Sequence, residues 1–302
     1  MFRTSHLTKH YGPVAALEDL SVDVPSGRIG LVGANGAGKT TLFRLLLGLS
    51  RPTAGVLEID GKRVDADPVG IRARIGYMPE HDCLPADQSA ADLVAGLGEL
   101  TGLPARDARQ RASDVLNLVG LDEARFRPMG TFSTGMKQRV KLAQAIVGDP
   151  TLVLLDEPTA GLDPTGREEM LALVARLGEF GISAVMATHL LDDVQKVCDH
   201  VVMLDGGRLV VAGPTQGLLE ATTGTVVLEV DGPHDQLVRA LERQGYACTH
   251  EDGHLEVAVG DAGDAGLDVI RDAVAELGLP LTRLTTRVVS LDDVFVGKAS
   301  HQ

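Results

Sequence analysis

The chain has 302 residues, of which 44% are hydrophobic and 23% charged, values that are ordinary for a globular protein and exclude a disordered or fibrous one. Its 42 acidic and 28 basic residues give a formal net charge of −14, which argues against a protein whose main task is to bind nucleic-acid backbones. The three cysteines form no C-x-x-C pair, a spacing that favours a reducing compartment and no zinc site.

The first part of the chain alternates short apolar runs with turn-forming residues. We predict strands within 2–25, at 28–32 and at 56–59, and a helix at 41–49. Between 89 and 118, apolar residues recur three and four positions apart, as at Leu93, Leu97 and Leu100. This spacing predicts an inserted helical segment with those leucines on its apolar face.

Strands and helices continue to alternate in the middle of the chain. We predict helices at 133–148 and 165–177, and strands at 151–156, 183–187 and 201–204. Several of these strands are continuously apolar, which is typical of strands buried on both faces of a parallel sheet. The pattern therefore predicts an α/β fold.

The character of the sequence changes near Thr222. Residues 222–302 contain 14 acidic and 6 basic residues, so this part carries more than half of the excess negative charge. Its predicted order is strand, helix, strand, strand, helix, strand, at 225–230, 234–244, 248–251, 255–259, 267–277 and 281–289. That order predicts a small α+β domain of the ferredoxin-like type.

A glycine-rich segment from Gly33 to Thr40, with the sequence G-A-N-G-A-G-K-T, fits the phosphate-loop pattern G-x-x-x-x-G-K-[ST]. It lies between a predicted strand and a predicted helix, so its backbone N–H groups and the helix N-terminus can converge on phosphate oxygens. Lys39 supplies a mobile charge for the β- and γ-phosphates, and the Thr40 hydroxyl is a suitable Mg²⁺ ligand. The segment predicts nucleotide binding.

A pair of carboxylates follows a buried strand at Asp156 and Glu157. Asp156 is suited to the Mg²⁺ shell, through water, and Glu157 is placed to orient an attacking water or to accept its proton. Alone, this pair would merely end a strand, but a phosphate loop in the same chain favours the functional interpretation.

The segment from Phe132 to Arg139, F-S-T-G-M-K-Q-R, precedes the strand that ends at Asp156. Ser133 is a good helix N-cap, and Gly135 permits close approach of a ligand to the backbone. Together with the phosphate loop, this segment resembles the signature of the nucleotide-binding subunits of ABC transporters. The resemblance covers the chain from about Phe2 to Thr215 and implies a P-loop ABC ATPase domain, with a mixed sheet core and an inserted helical subdomain.

The resemblance implies ATP as the nucleotide and Mg²⁺ as the metal. It assigns Tyr11 to stacking on adenine, and His189 to contact with the γ-phosphate and positioning of Glu157; the loop Ala160–Asp163 would sense the other subunit. The predicted catalytic residues are Glu157 and His189; the predicted nucleotide-binding residues are Tyr11, Gly33, Asn35, Gly36, Ala37, Gly38, Lys39, Thr40, Thr41, Glu80, Ser133, Gly135 and Asp156; the predicted metal ligands are Thr40, Glu80 and Asp156.

The implied organisation is an ABC domain at 1–221, with its helical insert at about 86–148, and an accessory domain at 222–302. Two chains would sandwich two ATP molecules, each site taking Ser133 and Gly135 from the other copy. No run approaches the roughly 18 apolar residues of a membrane span, so we expect a separately encoded integral membrane permease. The resemblance implies that this permease contacts the segment 80–85 and the helical segment 89–118. The chain would then act at the cytoplasmic face of the membrane, and the segment Val289–Phe295 resembles the tail of exporter ATPases.

Two departures from the family pattern stand out. Glu80 replaces the usual Gln, and Thr134 and Met136 replace the commonest Gly and Gln of the signature.

Two functions are alternatives to that of a transporter subunit. They are a soluble ABC ATPase acting on ribosomes or DNA and a non-catalytic, nucleotide-gated regulator. Soluble ABC ATPases that act on ribosomes or DNA usually have two cassettes or long coiled coils. The intact Glu157 and His189 argue against a non-catalytic regulator. The net charge further disfavours a nucleic-acid partner.

Overall fold

The computed structural model describes residues 1–220, 225–230, 232, 234–251, 254–259 and 263–286. The chain divides into two units, Met1–Thr215 and Gln216–Gln302. The predicted domain boundary, between 221 and 222, lies outside the described residues, as does the predicted exporter-like tail at Val289–Phe295.

The elements of the first unit, in chain order, are β1 (Phe2–Tyr11), β2 (Val14–Val24), β3 (Arg28–Val32), α1 (Lys39–Leu46), β4 (Ala54–Ile59), β5 (Lys62–Arg63), α2 (Pro68–Arg72), β6 (Ile75–Met78), α3 (Ala90–Leu100), α4 (Ala105–Leu118), α5 (Thr134–Ile146), β7 (Leu152–Asp156), α6 (Pro164–Arg176), β8 (Ser183–Thr188), α7 (Leu191–Val197), β9 (His200–Asp205) and β10 (Arg208–Pro214). Helix α8 (Thr215–Glu220) follows at the division between the units.

Two sheets build the first unit. The larger has the order β10-β9-β3-β8-β7-β6, and every neighbouring pair in it is parallel except β10 with β9. The smaller is an antiparallel sheet with the order β2-β1-β4-β5. Because β3 and β7 run in the same direction with β8 between them, the loops after these two strands leave the sheet at the same edge. This edge carries the phosphate loop and the two carboxylates that follow β7.

The hydrophobic core lies on both faces of the larger sheet. Along β7, Leu152 and Leu154 belong to the cluster formed with α1 and the antiparallel sheet, whereas Val153 and Leu155 belong to the cluster formed with α3, α4 and α5. Successive side chains of a strand point to opposite faces, so a strand covered on both faces must be apolar at every position. The continuously apolar sequence of β7 is explained by this double burial.

The helical insert contains α3, α4 and α5, and the large apolar residues of α3 differ in their burial. Val94 is fully buried, whereas Leu100 is 85% exposed and Leu93 and Leu97 are only partly buried. An added Cβ at Gly98 would lie 3.3 Å from the Cβ of Ala108, so α3 and α4 are in close contact at small side chains. The buried face of α3 therefore includes small residues, which the spacing of large apolar residues does not reveal.

The second unit is a four-stranded antiparallel sheet with two helices. Its elements are β11 (Thr225–Val230), α9 (His234–Arg243), β12 (Ala247–Glu251), β13 (His254–Ala258), α10 (Gly263–Glu276) and β14 (Leu281–Thr286). The sheet order is β12-β13-β11-β14, and Leu228, Leu237, Leu255 and Ile270 lie in its core. Its assignment to the ferredoxin-like class stays a prediction.

Among the residues that the structure describes, no helix has both the length and the apolar character needed to cross a lipid bilayer.

Candidate functional site

The phosphate loop connects β3 to α1 with backbone angles that favour glycine. Gly36 and Gly38 have φ values of 87° and 104°, in the left-handed region. A Cβ added to Gly33 would lie 2.4 Å from the carbonyl oxygen of Leu204. Gly38 precedes α1 without a side-chain cap, and the first turn of α1 has no acidic residue. The N-terminus of this helix therefore keeps its partial positive charge for an anionic ligand.

Lys39 is the first residue of α1, and its side chain is turned back into the loop. The ammonium donates hydrogen bonds to the carbonyl oxygens of Gly33 and Ala34, and it lies 3.8 Å from the Oε1 of Glu157. Lys39 is only 7% exposed. A positive charge is thus held between the loop backbone and the end of β7.

Asp156 ends β7 as a buried carboxylate, 3% exposed, 3.3 Å from the hydroxyl of Tyr77. Burial, followed by the negative charge of Glu80, raises the pKa of Asp156. Burial and the neighbouring Asp156 in turn raise the pKa of Tyr77 to about 12, so its hydroxyl remains the donor in this hydrogen bond. The site contains negative charge that its own side chains do not neutralise.

Glu157 has a strained backbone and a well-defined side-chain partner. Its φ is 48°, unusual for a residue with a side chain, and its N–H donates to the carbonyl oxygen of Ala187 at 2.9 Å. The Nδ1 of His189 is 3.1 and 3.2 Å from the two carboxylate oxygens of Glu157. Because an ionised carboxylate only accepts, Nδ1 carries the hydrogen of this bond. Strain of this kind concentrates at functional sites.

One cleft brings most of the predicted residues together. The residues that line it are Val14, Ala15, Ala16, Ala34, Asn35, Gly36, Ala37, Gly38, Lys39, Thr40, Thr41, Glu80, Asp156 and Glu157. Gly33 lies behind this lining, and His189 reaches it through Glu157. The loop after β6 brings Glu80 to the same edge of the sheet as Asp156.

Ser133 and Gly135 lie on a different surface of the same chain. They line an exposed cleft with Gly161, Leu162 and Asp163, and none of the residues that line this cleft also lines the phosphate-loop cleft. Ser133 caps α5 by accepting a hydrogen bond from the N–H of Met136 at 3.3 Å. Within one chain, therefore, the signature segment does not meet the phosphate loop.

Tyr11 stands at the end of β1 and is 41% exposed. The Nζ of Lys9 lies 4.8 Å from the centre of its ring. Tyr11 does not line the phosphate-loop cleft, although Val14, the first residue of β2, does. Its stacking on adenine stays a prediction.

The oxygen donors of the cleft fit a hard divalent cation. Thr40 offers a hydroxyl, and Glu80 and Asp156 offer carboxylates, the ligand types that Mg²⁺ prefers. The raised pKa of Asp156 supports this fit, because a cation would favour its ionised form.

Sequence reasoning missed two polar residues that support the site. Tyr77 contacts Asp156 directly, as described above. Lys141, on α5, is 3% exposed and donates to the carbonyl oxygens of Pro79 and Glu80 at 2.7 and 2.8 Å; burial lowers its pKa. No sequence motif marks Lys141, because its partners are backbone atoms on a distant segment.

Comparison with known proteins places this arrangement in a family. The family model for ABC transporters matches residues 17–160. An uncharacterized ABC transporter ATP-binding protein of Bacillus subtilis is 34% identical over 98% of each chain, and a Nod factor export ATP-binding protein of Ralstonia nicotianae is 30% identical over 96% of this chain and 91% of that one.

The solved structures agree on the fold of the first unit. That of cbiO1 from Clostridium perfringens, part of the ABC transporter complex cbiONQ, matches 72% of this chain and 89% of its own with a TM-score of 0.66 and 30% identity. The fold is that of a P-loop ABC ATPase. By its sequence, its fold and the residues gathered around its phosphate loop, this chain belongs to the ATP-binding subunits of ABC transporters.

Proposed function

We propose that this chain hydrolyses ATP and that the hydrolysis powers a membrane permease encoded separately. The observation that carries the hydrolytic part is the geometry of Glu157. Its buried carboxylate is held by His189 and lies 3.8 Å from the ammonium of Lys39, beside the phosphate loop. A carboxylate fixed beside a phosphate-binding cation is placed to act on water at the terminal phosphate.

The phosphate loop and Lys39 bind the β- and γ-phosphates of ATP in this proposal. The backbone N–H groups at the start of α1 and the lysine ammonium neutralise charge that moves to the leaving group during the reaction. Thr40, Asp156 and Glu80 would hold Mg²⁺, which, when bound, neutralises phosphate charge and aligns the phosphates. Asp156 is expected to reach the metal through water.

Glu157 orients the attacking water and accepts its proton, and His189 keeps the carboxylate in place. The hydrogen bond from Nδ1 to the carboxylate holds the imidazole of His189 beside Glu157. The strained backbone at Glu157 supports this role. A backbone conformation that costs free energy persists only where the surrounding structure enforces it, and such residues cluster at active sites.

A second copy of the chain completes each site. Ser133 and Gly135 lie on a cleft that shares no lining residue with the phosphate-loop cleft, so their proposed contact with ATP requires another chain. The N-terminus of α5 offers the same partial positive charge to the γ-phosphate as α1 offers to the other phosphates. Two chains would therefore enclose two ATP molecules, and closure of the dimer would gate hydrolysis.

The permease would receive the resulting motion at the cytoplasmic face of the membrane. The segment 80–85 and the helical insert are the surfaces we assign to that contact, because the segment begins at Glu80 in the nucleotide cleft. The relative named for Nod factor export supports export as the direction. A soluble ABC ATPase associated with ribosomes or DNA is the less favoured alternative.

The proposed domains are the ABC domain at 1–221, with its insert at about 86–148, and a ferredoxin-like accessory domain at 222–302. The six elements of the second unit and its sheet order, β12-β13-β11-β14, support the ferredoxin-like assignment.

Substitution of Glu157 tests the hydrolytic proposal. We expect Glu157→Gln to lower ATP turnover by about 10²-fold or more, the usual size of a general-base contribution, while Mg²⁺-dependent ATP binding is retained. Glu168→Gln, an exposed change on α6 that lines neither cleft, is the control and should turn ATP over like the wild type. Undiminished turnover in Glu157→Gln would remove the proposed role of this carboxylate.

A further inference from the structure

We propose that Lys141 is a positioning residue that fixes the loop carrying Glu80 to helix α5. The proposal rests on the proposed function, in which Glu80 reaches the metal and water around ATP. In this proposal, helix α5, which lies outside the nucleotide cleft, helps to set the geometry of that cleft.

The contacts of Lys141 are confined to one short stretch of backbone. Its Nζ lies 2.7 Å from the carbonyl oxygen of Pro79, 2.8 Å from that of Glu80 and 3.5 Å from that of His81. An ammonium has three N–H donors and no acceptor, so three successive carbonyls match its capacity. The side chain is 3% exposed, which means that water does not compete readily for these bonds.

A second lysine extends the contact along the same face of α5. Lys137 precedes Lys141 by four positions, the spacing that places two side chains on one helix face, and its Nζ lies 2.8 Å from Asp82. Both side chains of this ion pair are partly exposed, so it contributes little to stability. Residues 79–82 thus lie along α5, and the buried contact from Lys141 is the stronger one.

This link connects the phosphate-loop cleft to the helix that begins at the signature surface, as does the hydrogen bond from Gln138 of α5 to the carbonyl oxygen of Ala160. The loop 79–82 carries Glu80 into the phosphate-loop cleft, whereas α5 begins at Ser133 on the separate signature surface. A helix and a loop held by several buried hydrogen bonds move as one body. Any displacement of the loop therefore shifts the start of α5, and a change at the signature surface shifts Glu80.

A double-mutant cycle tests the role of Lys141. We expect Lys141→Met to lower kcat for ATP about 10-fold, because misplacement of a positioned group is costly, with KM changed less than about twofold. In a Glu80→Ala background, the same substitution should lower kcat by less than about twofold, since the group it positions is gone. Lys196→Met, which removes an exposed ion pair between α7 and Glu168, is the control and should leave kcat within about twofold. Losses that multiply across the cycle would overturn the proposal.

Hydrogen exchange provides a readout that does not depend on turnover. Amides of residues 80–83 should exchange about 10-fold faster in Lys141→Met than in the wild type, while α5 stays protected. Lys141→Gln, whose side-chain amide keeps two N–H donors, replaces the Met variant if the latter does not fold. If the wild-type chain has no ATP turnover, the proposed function is refuted. Amide hydrogen exchange at residues 80–83 would then be the only test of the link made by Lys141. Unchanged exchange at 80–83 would refute the link itself.

Discussion

The carboxylate of Asp156 is buried at the end of β7 with the hydroxyl of Tyr77 as its hydrogen-bond partner. Its pKa is raised above the ordinary value by burial first and by Glu80 second. At neutral pH its ionised form therefore disfavours folding, and this penalty is lost as the pH falls through the raised pKa. A residue suited to a cation is thus destabilising in the protein without one.

We predict that Asp156→Asn stabilises the protein when Mg²⁺ and nucleotide are absent. The gain should be about 1 kcal/mol at neutral pH, or a rise in Tm of roughly 2–4 °C, because the variant removes a buried charge and can still accept from Tyr77. The gain should shrink as the pH is lowered through the raised pKa of Asp156, because the wild-type carboxyl then becomes protonated.

Thermal melts of the two proteins between pH 4 and pH 8 measure this difference. Asp205→Asn, at the exposed end of β9, is the control and should change Tm little at any pH. A variant that is less stable than the wild type at neutral pH would show that Asp156 is stabilised by contacts other than those described.

At the scale of elements, two helices begin with the same capping chemistry but differ in their proposed roles. Ser133 caps α5 by accepting from the N–H of Met136, and Ser89 caps α3 by accepting from the N–H of Asp92 at 3.1 Å. Only Ser133 lies on the signature surface. A comparison of substitutions at Ser133 and Ser89 therefore distinguishes the effect of losing a helix cap from the effect of losing a ligand contact.

We predict that Ser133→Ala and Ser89→Ala destabilise the protein equally, by about 1 kcal/mol, the usual cost of a lost N-cap. Turnover should fall about 10-fold in Ser133→Ala alone, because its hydroxyl is proposed to reach the ATP of the facing chain. Chemical denaturation and steady-state ATPase assays measure the two effects. Equal turnover losses in both variants would reduce Ser133 to a structural cap.

The sequence predicted the elements around the site better than the packing between helices. The run at 28–32 is the strand β3, and Ser133 caps its helix as expected from its residue type. Of the three leucines whose spacing predicts the helical insert, Leu93 and Leu97 pack against the core, whereas Leu100 is exposed. Spacing of large apolar residues cannot reveal a contact that depends on Gly98 approaching Ala108.

At the scale of the whole molecule, the motifs and the family resemblance predicted that these residues share a cleft. Lys39, Glu80 and the pair Asp156–Glu157 are far apart in the chain, yet the parallel strands bring them to one edge of the sheet. The role of Lys141 could not be predicted, because its partners are backbone carbonyls that only folding brings within reach. Ser133 and Gly135 lie apart from the others, which is the structural basis for proposing a second copy.

Mixing two inactive variants tests this composite site most directly. Lys39→Ala removes the phosphate-binding cation, and Ser133→Arg blocks the signature surface, so each protein alone should have no turnover. A mixed dimer would contain one intact site, formed by the phosphate loop of one chain and the signature segment of the other. We predict that equimolar mixing restores ATP turnover to about a quarter of the wild-type rate, since half of the dimers are mixed and each has one of two sites. A mixture as inactive as its components, with mixed dimers demonstrated by differential tags, would contradict the account.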